Sequence, residues 1–204
     1  MQDAGPVARS EAASRRSSLA VMDLPPTSLR PFVTVSTERV LDARIFGVDR
    51  VRRRSQDRGG EHDYWRLQTG DWVNVIPITR RGEVVLVRQE RHGIGANTLE
   101  TPGGLVDPGE APAAAALREM EEETGYRGGV AEPLGWVHPN PAIQSNRLHM
   151  FLARDVVKVG APTPDAHEEV EVLTVPLTQV RELVRRGVIT HALVVCALYL
   201  LDGI

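Results

Sequence analysis

Between Val33 and Val51 apolar residues recur with a period of two: Leu41, Ala43 and Ile45 alternate with charged neighbours, a spacing that predicts strands rather than a helix. Two β-rich runs follow, Trp72 to Thr79 and Glu83 to Gln89, separated by Arg80, Arg81 and Gly82. So short a break, with a glycine able to take positive φ, predicts a hairpin. Beyond a glycine-rich passage, Ala111 to Glu123 is dense in Ala, Leu, Met and Glu, with Pro112 in its first turn and Gly125 just past its end. These are the start and stop signals of a helix. The pattern then reads as strands over Leu134 to Val137, Leu148 to Ala153 and Val170 to Val175, and as helices over Leu177 to Arg186 and Thr190 to Leu201. The order predicts a mixed α/β fold without a regular βαβ or internal repeat.

Composition adds bounds to this pattern. A chain of 204 residues suits one ordinary domain. Ala, Ser, Arg and Pro dominate up to Pro31, so residues 1–31 are expected to form a poorly ordered arm and residues 32–204 one domain, with N-terminal strands over about 32–70 and a core over about 71–204. Basic and acidic residues number 24 and 27, a net charge of −3, which leaves no broad basic field; nucleic acid is not an expected partner. The basic run Arg50 to Arg54 is expected to be a solvated strand end or turn. Cys196 is the single cysteine, which excludes an intrachain disulfide and a cysteine zinc cluster; it reads as a small core residue and fits a reducing cytoplasm. The longest apolar stretch, Ala192 to Leu201, has half of the roughly 20 residues that a membrane span needs, and the N-terminus lacks a signal-like apolar core, so neither membrane nor secretion is expected.

The candidate chemistry lies on the predicted helix. Glu119, Glu122 and Glu123 stand at i, i+3 and i+4, which puts three carboxylates on one face, where like charges repel unless something compensates. Hard divalent cations favour such oxygen donors and often link them to substrate phosphates. The passage before the helix, Gly104-Leu105-Val106-Asp107-Pro108-Gly109-Glu110, supplies a tight loop in which Gly103, Gly104 and Gly109 let backbone carbonyls approach a metal. Tyr64, Trp65 and Trp72 precede the core; most such aromatics pack, but one could stack on a base. His138 and His149 lack metal-ligand spacing and read as ordinary loop and strand residues.

From Gly104 to Tyr126 the chain has glycine, five residues, Glu110, seven residues, then Arg118-Glu119-Met120-Glu121-Glu122-Glu123-Thr124-Gly125-Tyr126. This resembles the Nudix box, with Tyr126 at a position where the family more often has an aliphatic residue. Weaker resemblance extends over roughly Trp72 to Leu201 to the branch of ADP-ribose and nucleoside-diphosphate-sugar pyrophosphatases. It is carried by Val87-Arg88-Gln89-Glu90-Arg91, Leu99-Glu100-Thr101-Pro102-Gly103-Gly104 and Glu168-Glu169-Val170-Glu171-Val172. His138-Pro139-Asn140-Pro141 offers two prolines where the ADP-ribose enzymes have one marker proline.

The resemblance implies an α/β/α sandwich with a mixed sheet and extra N-terminal β-strands, usually dimeric. It implies hydrolysis of a diphosphate linkage to a nucleoside monophosphate and a sugar phosphate, with Mg²⁺ or alternatively Mn²⁺ as cofactor. Gly103, Glu119, Glu122 and Glu123 would hold the metal, and Arg118 and Glu110 would orient those carboxylates. Arg91 and Glu100 match positions that meet the substrate diphosphate and the metal site, and Trp65 is the candidate for base stacking. Glu168, with Glu169 second, resembles the residue of an acidic loop that supplies a general base, and Glu122 belongs with the catalytic set. Two other readings stand beside this one: a Nudix domain that senses metabolites without turnover, and a Nudix hydrolase of nucleoside triphosphates or capped ends.

Overall fold

A computed structural model describes residues 25–163 and 169–201. Residues 1–24 of the predicted arm lie outside the described residues; residues 25–32 are exposed and form no regular element. In chain order the elements are β1 (Val33–Asp42), β2 (Gly47–Arg54), β3 (Glu61–Gln68), β4 (Trp72–Thr79), β5 (Glu83–Arg91), β6 (Ala96–Glu100), β7 (Gly103–Leu105), α1 (Pro112–Thr124), β8 (Tyr126–Arg127), β9 (Glu132–Val137), β10 (Leu148–Lys158), β11 (Val170–Pro176), α2 (Leu177–Arg185) and α3 (Ala192–Leu200).

The central sheet runs β11-β5-β4-β10-β8, with β6 paired to β5, β7 to β4 and β9 to β10. β4 and β10 are parallel and the other pairs antiparallel, so the sheet is mixed. Its two faces feed separate cores. Val73, Val75, Val85 and Phe151 pack with Ala115, Ala116 and Met120 of α1, while Ile76, Leu86 and Met150 pack with Val180 of α2 and Val194 and Leu198 of α3. A strand buried on both faces has no polar side to show, which is why β4 reads as a nearly unbroken apolar run. The arrangement is the expected α/β/α sandwich. No helix among the described residues is long and apolar enough to cross a membrane.

The N-terminal segment departs from expectation in its details. The alternation through Ala43 and Ile45 does not mark one continuous extended stretch: the chain turns there, with Ala43 N–H donating to the Phe46 carbonyl at 2.9 Å and Arg44 at φ 68°. The basic run is the second half of β2. Arg50 pairs with Glu38 on β1 at 2.5 Å, and Arg52 and Arg54 pair with Asp63 and Glu61 on β3 at 2.8 and 2.5 Å. Exposed pairs contribute little to stability, but opposite charges placed across the strands favour this register over a slipped one. Asp49 is buried between Arg39 of β1 (2.6 Å) and Arg66 of β3 (2.9 Å), tying all three strands together. This sheet meets the core where Leu67 N–H donates to the Ile143 carbonyl at 2.7 Å.

Candidate active site

The helix α1 is positioned from both ends. Pro112 opens it, and Gly125 closes it in the left-handed region at φ 68°, donating its N–H to the Glu121 carbonyl. Burial of Ala115, Ala116 and Met120 against the sheet then sets the rotation of the helix. The repulsion expected among its glutamates is met by Arg118. Its guanidinium donates to Glu110 (Nε to Oε1 3.1 Å, Nη2 to Oε2 3.0 Å), Glu119 (2.8 Å), Glu122 (2.9 Å) and the Leu105 carbonyl (3.1 Å). These bonds hold the Glu110 carboxyl below the usual range and raise Arg118 above its own, Glu110 being the largest cause and burial opposing both shifts.

The loop fits the helix through its glycines. Glu123 is only 3 % exposed and accepts the Gly103 N–H at 2.9 Å. A Cβ on Gly103 would lie 2.1 Å from the Val73 carbonyl oxygen, and one on Gly104 would lie 2.5 Å from the Glu119 carboxylate. Glycine is therefore required at position 103, where the neighbour is backbone, whereas at position 104 it leaves room for the Glu119 carboxylate. Among the described residues no three His, Cys, Asp or Glu side chains are gathered into a ready metal cage. The donors that face one another here are all hard oxygens, which fits a divalent cation of the Mg²⁺ kind rather than a soft metal.

A second cluster lies where β5 meets β6. Arg91 donates to both oxygens of Glu100 (Nε 2.8 Å, Nη2 2.7 Å), Thr98 Oγ1 donates to Oε1 at 2.5 Å, and His191 Nδ1 lies 3.1 Å from Oε2. Glu100 is 1 % exposed. Burial pushes its carboxyl upward, but the bonds from Arg91 and Thr98, with the His191 ring beside Oε2, outweigh this and hold it well below the usual range. Arg91 and Glu169 line one cleft of about 970 Å³, together with Ile45, Arg88, Glu90 and Asn97.

The NUDIX domain model matches residues 69–198. The chain belongs to the Nudix family. It is 39 % identical over 118 residues to the ADP-sugar pyrophosphatase of Mus musculus, covering 53 % of this chain and 54 % of that protein, so the match spans about half the length of that relative. It is 42 % identical over 156 residues to the CMP-5'-(N-acetyl-N-hydroxy-3-aminopropyl)phosphonate hydrolase of Streptomyces rubellomurinus, covering 76 % of this chain and 68 % of the relative. Among solved structures, an ADP compounds hydrolase superposes with a TM-score of 0.76 at 26 % identity, over 86 % of this chain and 94 % of that one.

Within this Nudix chain the structure brings together Glu110, Arg118, Glu119 and Glu122, and joins Gly103 to Glu123. Arg91 and Glu100 bind each other. Protein groups surround the Glu100 carboxylate: Arg91, Thr98 and the His191 ring. Glu169 is exposed and borders the cleft; Glu168 lies outside the described residues. Trp65 is 56 % exposed on β3, opposite Arg50, and is not among the residues lining the cleft. Trp72 packs in the core, His149 pairs with Asp71 at 3.0 Å, and His138 lies edge-on to Trp136, in line with structural roles. His191 was invisible to sequence reasoning, which placed it inside a helix beginning at Thr190; in the structure it is the residue just before α3.

The Gly104 contact gives a test that separates function from folding. Alanine at that position meets only the far end of the Glu119 side chain, so the chain is expected to fold with a melting temperature close to the parent's. Because the box carboxylate is pushed off its position, turnover is expected to fall by about tenfold or more. A variant as active as the parent would show that the placement of Glu119 does not matter.

Proposed function

We propose that this Nudix protein hydrolyses the diphosphate linkage of ADP-ribose or a nucleoside-diphosphate sugar, giving a nucleoside monophosphate and a sugar phosphate, with Mg²⁺ as cofactor and Mn²⁺ able to replace it. The observation that carries the reading is the acidic face of α1, gathered around Arg118 with Glu123 seated on Gly103. Glu119, Glu122, Glu123 and the Gly103 carbonyl would hold the cation, which when bound neutralises phosphate charge and makes water more acidic. The protein's own groups do the rest. Arg118 keeps the carboxylates apart and oriented, and Arg91 offers a planar donor fork to phosphate oxygens. A carboxylate of the 168–169 pair takes the proton from the attacking water. Water adds at one phosphorus, the bridging P–O bond breaks, and each product leaves as a phosphomonoester. The names of the relatives, an ADP-sugar pyrophosphatase and an ADP compounds hydrolase, support this substrate class.

The deciding experiment incubates the protein and Mg²⁺ with ADP-ribose, several nucleotide sugars, dinucleoside polyphosphates and nucleoside triphosphates in heavy-oxygen water, with both products identified by mass. Paired monophosphate products from ADP-ribose or a nucleotide sugar support the reading. Release of pyrophosphate from triphosphates would replace it with the triphosphatase reading, and absence of cleavage with the sensor reading.

The protein is further proposed to be a cytoplasmic homodimer, with no nucleic acid partner. All ten residues of β1 are exposed, Val33, Val35, Val40 and Leu41 among them, and Tyr64 and Trp65 on β3 and Ile45 in the β1–β2 turn are exposed as well. An exposed strand with apolar side chains is an aggregation risk unless another chain covers it, and a second copy is the simplest cover. Light scattering at micromolar concentration should give twice the chain mass. A monomer with full activity would overturn the dimer.

A further inference from the structure

Arg91 ends β5 and lines the cleft, yet its orientation is set from behind. Its Nε and Nη2 grip both oxygens of Glu100, so the plane of the guanidinium follows the plane of that carboxylate. The carboxylate has two further neighbours, one on each oxygen: Thr98 Oγ1 on Oε1, from the same strand, and His191 Nδ1 near Oε2, from the opposite end of the chain. His191 sits at the N-cap of α3 but makes no side-chain capping bond there. Its buried Nδ1 lies 3.1 Å from Oε2 of Glu100, an electrostatic contact outside regular hydrogen-bond geometry. A carboxylate buried to 1 % exposure keeps its place only while its surroundings hold it, and loss of the imidazole beside Oε2 would leave space for it to turn or draw in water.

We propose that His191 is a positioning residue: by holding Oε2 of Glu100 it fixes the orientation in which Arg91 meets the substrate diphosphate. The inference rests on the hydrolase reading above, since it takes the cleft beside Arg91 as the place of a nucleoside diphosphate derivative. α3 thereby has a second task besides filling the core with Val194 and Leu198, because its N-terminus anchors the buried end of a phosphate-binding fork.

The test uses the full chain with His191→Ala, His191→Asn and His191→Gln, alone and combined with Arg91→Ala. Asparagine places an amide nitrogen where the imidazole has Nδ1, and glutamine moves it one methylene further. Binding of the panel compound cleaved fastest is measured calorimetrically in EDTA, where turnover does not intrude, and KM and kcat are measured with Mg²⁺. The alanine and glutamine variants should bind about tenfold more weakly, with KM rising in parallel and kcat within about twofold of the parent, whereas the asparagine variant should stay within about twofold in both. In the Arg91→Ala background the same His191 changes should add almost nothing, because the effect passes through Arg91. Parental affinity in the alanine and glutamine variants, an asparagine variant as weak as they are, or full additivity with Arg91→Ala would overturn the role of His191 alone. Failure of the parent protein to bind or cleave any panel compound would overturn the hydrolase reading and this inference with it. If the alanine variant fails to fold, the contrast between asparagine and glutamine decides.

Discussion

Glu123→Gln should lower turnover by at least about a hundredfold while the protein still folds. The two halves of this expectation come from the same geometry. Glu123 is buried at the foot of the loop and accepts the Gly103 N–H at 2.9 Å; glutamine has the same shape and can keep a carbonyl oxygen on that N–H. The core contacts of α1 through Ala115, Ala116 and Met120 are untouched, so the melting temperature should move by only a few degrees. What the substitution removes is a charged hard oxygen, and with it much of the grip on a divalent cation. Affinity for Mn²⁺, read by electron paramagnetic resonance, should fall together with kcat. Turnover near that of the parent would remove Glu123 from the metal site, whatever the fate of Glu119 and Glu122.

The reason α1 could be read so closely from the sequence is that its limits are chemical. Proline and glycine bracket it, and the helix runs from Pro112 to Thr124 against an expected Ala111 to Glu123. The β4 strand was legible for a related reason, since burial on both faces leaves a run that only a core strand explains. The small sheet resisted because its strands are exposed and charged. Glu61–Gln68 carries too few apolar residues to announce a strand, and its acids make sense only once Arg52 and Arg54 are seen across from them. Strands as short as β6, β7 and β8 have no periodicity to read; they exist through pairing with β5, β4 and β10.

At the site, the motif made Glu110, Arg118, Glu119, Glu122 and Glu123 visible, because helical spacing converts sequence distance directly into proximity. It could not show that Arg118 is the hub joining Glu110, Glu119 and Glu122. Nor could it show that Glu100 is engaged from behind by His191. That pairing depends on where α3 docks, and no local pattern encodes a contact between residues so far apart in the chain.

Glu168→Gln should cut kcat by about a hundredfold or more and leave KM and metal affinity nearly unchanged, whereas Glu169→Gln should cost far less. Glu168 lies outside the described residues, so the expectation draws on its flanks and on the motif resemblance. On one side Thr163 donates its N–H to the Glu122 carbonyl at 2.7 Å, which ties the preceding chain to the acidic helix itself. On the other, Val170 pairs with Gln89 on β5, two residues before Arg91, and Glu169 borders the cleft. The segment between these anchors therefore starts at the carboxylate helix and ends beside the arginine, the two features between which a diphosphate would lie. A general base needs hydrogen-bond reach to the attacking water without being tied up as a metal ligand, and with the proposed metal bound the box glutamates would fail the second condition. The pH profile separates the candidates. Removing the true base should abolish the acid limb of kcat, while removing a bystander carboxylate should leave the limb in place at slightly lower height. Equal, modest losses in both variants with the acid limb intact would exclude the 168–169 pair, and activation of water would then fall to the groups around α1.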